Sequence, residues 1–165
     1  MMRDKTKKTG REFMMWKPQD MDMFLQPREY VDTAVMPLIG ITFEEQAKQT
    51  ASVHDFISIV SRQVEQQFKG RVLLLPPLSY YSDWPKQEKL DLLLKWKSDL
   101  DEQFAHVLFL TSDVEWKTLE TELGQTILWT NHIPLEHLEE KYKQPMMEEQ
   151  VKSLLTTISQ KWKNE

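Results

Sequence analysis

The chain has four histidines, His54, His106, His132 and His137, and their spacing does not form a metal site. His132 and His137 are five residues apart across Pro134, so they are not the i, i+4 pair that places two imidazoles on one helix face. No HExxH and no local carboxylate–histidine group occurs, and no metal is expected. His132 is the one candidate for general acid or base work, because it follows an apolar segment where a loop should begin. Asp113 is a second candidate for proton transfer. Ser79 and Ser112 are the serines to weigh as nucleophiles, but neither sits in a GxSxG elbow, and Ser112 reads as a helix cap. With four glycines in all, the chain has neither GxGxxG nor GxxxxGK[ST]. A dinucleotide cofactor or a P-loop nucleotide is therefore not expected, and no catalytic signature names a reaction.

These residues gain meaning from the elements that carry them. The segment "YVDTAVMPLIGI" reads as a first strand ending near Pro37–Gly40. "RVLLLPP" reads as a second, Val72–Leu75, stopped by Pro76–Pro77. "AHVLFLTSD" and "QTILWTNHIP" are the third and fourth. Apolar runs without alternation suit strands covered on both faces, as in a parallel sheet. Between them lie helical patterns. A short one runs from Pro18 to Gln26, stopped by Pro27. "TFEE", with Thr42 and Glu45, forms a capping box before a helix that buries Val53, Phe56 or Ile57, Val60, Val64 and Phe68, with a break near Thr50–Ser52 allowed. Ser82 or Asp83 caps a third helix, with Pro85 in its first turn. A helix of about ten residues follows Ser112 and ends at Gly124. "LEHLEEKYKQ" makes one or two helical turns. The last helix starts near Pro145 with an apolar stripe of Met147, Val151, Leu154, Leu155, Ile158 and Trp162.

Strand and helix thus alternate four times. The expected fold is α/β: a three-layer open parallel sheet of about four strands in flavodoxin-like order 2-1-3-4, with helices on both faces. Such sheets bind ligands beyond the carboxyl ends of their strands, at the point where the strand order reverses. Four loops should meet there. One carries Gly40, Thr42, Glu44 and Glu45. The others supply Ser79, Tyr80, Tyr81 and Trp84, then Thr111, Ser112 and Asp113, then Thr130, Asn131 and His132. Hydroxyls among aromatic walls suit a small polar ligand, and Trp84 with Tyr80 or Tyr81 could stack on a planar one.

Composition narrows the classes further. At 165 residues, 40% hydrophobic and 28% charged, the chain suits one domain with one sizeable core. It has no cysteine, which removes disulfides and thiolate chemistry and makes a cytoplasmic home the simplest reading. The longest apolar stretch, Val72–Leu78, is far short of the roughly 18–20 residues a membrane span needs, and the basic start lacks the apolar segment of a signal peptide. Residues 1–11 sum to +4 against a total of −5, so the remaining 154 residues sum to −9. An acidic folded part argues against a nucleic-acid partner. Residues 1–14 read as a basic disordered tail or extension, with Met14 or Met15 offering an internal start, and residues 15–165 as a single domain.

Two resemblances add to this reading. "MWKPQDMDMFL", "YVDTAVMPLI" and "QFKGRVLLLPP" resemble the YpiF-like proteins of Bacillus-type bacteria, a family of soluble proteins with no assigned function. That resemblance spans about residues 15–160 and implies a cytoplasmic bacterial protein, without bringing a catalytic residue. More loosely, the order "GRVLLLPP", "AHVLFLTSD", "TELG" is similar to that of nucleoside deoxyribosyltransferase-like proteins. There a glutamate attacks the sugar carbon of an N-glycosidic bond, and Glu122 or Glu120 would match it, with Asp113 or His132 assisting. No Gly-Thr precedes the glutamate here, and fold likeness alone does not carry function. The leading expectation is a non-catalytic module binding an unknown small polar ligand or a protein partner at the strand-end loops, with no cofactor. The alternative is an N-glycosidic bond enzyme.

Overall fold

The computed structural model describes residues 15–25 and 30–164. The basic arm, residues 1–14, and Pro27 lie outside the described residues. The elements run α1 (Pro18–Leu25), β1 (Thr33–Ile41), α2 (Ala47–Gln67), β2 (Val72–Leu74), β3 (Leu78–Tyr81), α3 (Lys86–Asp101), β4 (His106–Thr111), α4 (Val114–Lys117), α5 (Glu120–Leu123), β5 (Ile127–Trp129) and α6 (Glu140–Lys163). Among the described residues all strand pairs are parallel, in the order β2-β1-β4-β5, with β3 also on β1. If β2 and β3 are taken as one interrupted strand, this is the expected order 2-1-3-4.

Alternate residues of each strand feed two apolar layers. Val35, Ile39, Leu108 and Leu110 face α2 and α6, whose Phe56, Val60, Val151, Leu154 and Ile158 cover them. Ala34, Met36, Leu38, Val107 and Phe109 face the other way, onto Phe24 of α1, Leu90 and Leu93 of α3, and Trp116 and Leu123 of α4 and α5. Helices therefore cover both faces of the sheet, and the stripe expected along the last helix is the one that packs.

Prolines explain where the strands depart from expectation. Pro37 lies inside β1 rather than near its end. Between the pairs Val35↔Leu74 and Leu38↔Leu78, the second strand spends one residue more than β1 does. Pro37, which has no N–H to donate, falls in that interruption of the ladder, where a missing donor does no harm. Pro76 and Pro77 fall in the same gap, and pairing resumes beyond them. Ser79, Tyr80 and Tyr81, expected in a loop, are therefore strand residues paired with Ile39, Gly40 and Ile41.

Helix starts also move. Ala47 opens α2 after Gln46, with no side-chain cap; the Thr42 hydroxyl instead accepts the Glu44 N–H at 3.2 Å in a turn. The helix continues unbroken through Thr50–Ser52. Pro85 is the N-cap of α3, and neither Ser82 nor Asp83 caps it. Asp113, not Ser112, caps α4 by accepting the Glu115 N–H at 3.0 Å. The helix expected there is two short ones, with Gly124 at φ +68° ending the second. Finally, α6 begins one turn before Pro145 and takes the proline inside it. Among the described residues, no helix is long and apolar enough to cross a membrane.

Candidate functional site

The strand order reverses between β1 and β4, and a cavity of about 540 Å³ lies at their carboxyl ends. The end of β1 and the turn after it supply Gly40, Thr42, Glu44 and Glu45. The first turns of α2 add Gln46, Gln49 and Thr50. From the end of β3 come Tyr80, Ser82 and Asp83, and from the end of β4 come Ser112, Asp113 and Glu115. Lys89, in the first turn of α3, also lines it.

Tyr80 anchors the floor. Strand alternation turns its ring into the core, where it meets Trp116 edge-on at 5.3 Å between ring centroids. Its hydroxyl donates to Asp113 Oδ2 at 2.7 Å and accepts from Trp116 Nε1 at 2.9 Å. Burial, reinforced by the Asp113 charge and hydrogen bond, pushes the phenol pKa well above its ordinary value. Asp113 is also tied to its own chain: its N–H donates to Thr111 Oγ1 at 3.0 Å. Gly40 lets the floor close. A Cβ there would stand 2.9 Å from Ser82 Oγ and 3.2 Å from Tyr80 Oη.

Lys89 is 3% exposed, yet its ammonium is matched. It donates to the Ser82 carbonyl at 2.7 Å and to Glu115 Oε1 at 2.8 Å, and it stands 5.5 Å from the centre of the Tyr80 ring. Ser112 Oγ is buried without a hydrogen-bond partner. Beside the cavity, three aromatic rings are left in the open: Phe43 is 77%, Tyr81 46% and Trp84 40% exposed. They touch in sequence, with centroids 6.1 Å apart for Phe43 and Tyr81 and 5.9 Å for Tyr81 and Trp84. Each is a chain neighbour of a residue that lines the cavity.

The sequence-derived candidates separate on these facts. Tyr80, Ser112 and Asp113 line the cavity, and Tyr81 and Trp84 stand next to it. Thr111 is buried beneath as the acceptor for Asp113. Ser79 and Asn131 are exposed and do not line it, while Thr130 is buried against Gln150 of α6, with Oγ1 3.3 Å from Oε1. Glu120 and Glu122 are exposed on α5 and do not line it either. Lys89, Glu115 and Gln49 were missed as site residues. Lys89 lies four residues before Leu93 and so on the buried side of α3, but a lysine there looks like any side chain whose stem covers apolar surface.

His132 belongs to a neighbouring hollow of about 400 Å³ with Ser52, Glu136 and His137, and Glu45 and Gln49 line both it and the switch-point cavity. The Ser52 hydroxyl donates to the Glu136 carboxylate, at 2.7 Å from Oε2, and also contacts Oε1. His132 Nε2 is 2.9 Å from the Ser52 Oγ. With its one hydrogen given to Glu136, Ser52 accepts from the imidazole, so this trio orients His132 rather than activating a nucleophile. Burial pulls the His132 pKa below its ordinary value, against the Glu136 charge and a hydrogen bond with the Ser52 backbone, which raise it. Among the described residues, no group of three or more His, Cys, Asp or Glu could hold a metal ion.

An open parallel α/β sheet with a polar cavity at its switch point is the class of protein that this fold and site define. Residues 22–162 match the family model described as "Protein of unknown function (DUF2487)", and the chain belongs to that family. It is 36% identical over 153 residues to the Uncharacterized protein YpiF of Bacillus subtilis (strain 168), which covers 90% of this chain and 98% of that relative. No solved structure matches it significantly.

Proposed function

We propose that this chain is a non-catalytic cytoplasmic binding module whose site is the switch-point cavity, taking a small polar ligand or a polar group of a partner protein. The observation behind this reading is the convergence of three separate segments, residues 38–53, 80–89 and 112–115, on one cavity of about 540 Å³. That volume falls in the range of roughly 300–1,000 Å³ usual for small-molecule sites. The polar groups at its floor support binding more than turnover. Asp113 is held by Tyr80 and by the α4 amide it caps, and Lys89 is held by Glu115, so both serve to fix the floor in place. The N-glycosidic alternative draws no support from the placement of Glu120 and Glu122.

The test is a thermal-shift and NMR titration of the full chain with a panel of nucleotides, amines, organic acids and sugars. Saturable shifts at the amides of Gly40, Ser82, Ser112 and Glu115 are expected for at least one member. A panel whose only saturable shifts gather at residues 131–137 would place the site elsewhere. Nucleoside incubation with base release would overturn the non-catalytic reading.

A further inference from the structure

We propose that the ligand group taken by this cavity is an organic cation, an alkylammonium or a guanidinium, held by Glu44, Glu45 and Asp83 beside the exposed rings of Phe43, Tyr81 and Trp84. The proposal rests on the cavity being the binding site and names the chemistry that site would accept.

Charge comes first. Five carboxylates and one ammonium line the cavity. The ammonium of Lys89 is already answered by Glu115, and Asp113 by the Tyr80 hydroxyl and its capped amide. Glu44, Glu45 and Asp83 remain, exposed and with no cationic partner among the described residues. An anionic ligand would meet all three. It would also find Glu44 and Glu45 immediately before the amino end of α2, the end that otherwise attracts a phosphate.

The aromatic rings are an independent observation. Phe43, Tyr81 and Trp84 form a chain of ring contacts, edge-on for Phe43 and Tyr81 and tilted for Tyr81 and Trp84, and they stand exposed at the same two turns that carry the carboxylates. Aromatic faces attract cations through their quadrupole, and rings grouped with carboxylates are the chemistry that recognises substituted ammonium groups. The buried, unpartnered Ser112 hydroxyl borders the same cavity and offers an oxygen to an N–H donor.

The experiment is an isotope-labelled amide titration of the full chain, paired with calorimetry, in four arms. The probes are spermidine and agmatine, a capped tetrapeptide of alternating lysine and arginine, ATP and citrate, and glucose. The proposal expects saturable shifts at Gly40, Ser82 and Asp113 with the cationic probes. Glu44→Gln with Glu45→Gln and Asp83→Asn should weaken binding about tenfold. Trp84→Ala should weaken it about threefold, while the remote pair Glu148→Gln with Glu149→Gln leaves it unchanged. Tighter binding of the peptide assigns the group to a protein partner, and tighter binding of the free amines to a small molecule; both uphold a cation site. ATP, citrate or glucose binding these amides in preference to the cations overturns the cation class while leaving the cavity as the site. No probe of any charge shifting these amides overturns the cavity itself. Equal loss of cation binding in the remote pair overturns the proposal as surface screening.

Discussion

Replacing Tyr80 by phenylalanine removes one oxygen and leaves the ring. That oxygen has two partners, Asp113 Oδ2 at 2.7 Å and Trp116 Nε1 at 2.9 Å. Trp116 is buried, so its indole N–H loses its acceptor without water to replace it, a cost of about 1–3 kcal/mol. Asp113 is only partly buried and borders the cavity, so water can take the place of the phenol there, and the loss is about 1 kcal/mol. The sum is about 2–4 kcal/mol, or a fall in Tm of about 4–16 °C for a domain of this size. Tyr81→Phe, on an exposed ring, should stay within about 0.5 kcal/mol. Urea unfolding at neutral pH measures both. The phenol pKa is raised in the folded state by burial and by Asp113, so its contribution is full below the unfolded value near 10 and is lost as pH rises beyond it. The unmodified chain should therefore lose stability above about pH 10 more steeply than Tyr80→Phe does. A loss under about 0.5 kcal/mol together with an unchanged alkaline limb would refute the role given to this hydroxyl.

Further expectations concern the other end of the sheet and the second hollow. Arg71 stacks 3.6 Å over the Trp162 ring and pairs with Asp32 at 3.0 Å, while Trp162 Nε1 donates to Thr33 Oγ1 at 2.9 Å, fastening α6 to the start of β1. Both charges are partly exposed, so Arg71→Ala should cost about 1 kcal/mol by urea unfolding. Burial raises the Asp32 pKa, but Arg71 and Thr33 outweigh it and leave it lowered; the resulting stability is present above about pH 4 and lost as pH falls. Arg71→Ala should therefore flatten the acid limb between pH 7 and about pH 3. His132 should titrate below the ordinary histidine value by NMR, and Glu136→Gln, which removes the charge that raises its pKa, should move it lower still. A rise in that variant would contradict the described geometry.

Much of the fold was legible because apolar runs and helical stripes report burial directly. Val107–Leu110 had to lie between two helix layers, and Val151, Leu154 and Ile158 had to face a sheet. Proline was legible only in part. Pro76–Pro77 read as a stop because its missing N–H was clear, but the matching gap at Pro37 appears only when the two strands are set side by side. Tyr80 was expected in a loop for that reason. Once the strand resumed, alternation sent Tyr80 inward and Tyr81 outward, giving one an anchoring duty and leaving the other in the open. Ser112 and Asp113 are adjacent capping residues, and only backbone direction at the end of β4 decides which one caps. The Lys89–Glu115 pair joins α3 to α4 across a sequence gap that no local pattern reports.

The cavity beside Tyr80 and Gly40 is the proposed binding site, and one measurement bears on it most directly. It is the amide chemical-shift map of the full chain titrated with the charged and neutral probes, compared with that of Gly40→Ala. A Cβ at Gly40 meets Ser82 Oγ and the Tyr80 ring within 3.3 Å, so it intrudes where the floor closes. Saturable shifts centred on Gly40, Tyr80, Ser112 and Glu115 are expected, weakened in Gly40→Ala while the amides of α6 stay as they were. Shifts centred instead on His132 and Glu136, or shifts at the cavity that Gly40→Ala leaves at full strength, would contradict that placement.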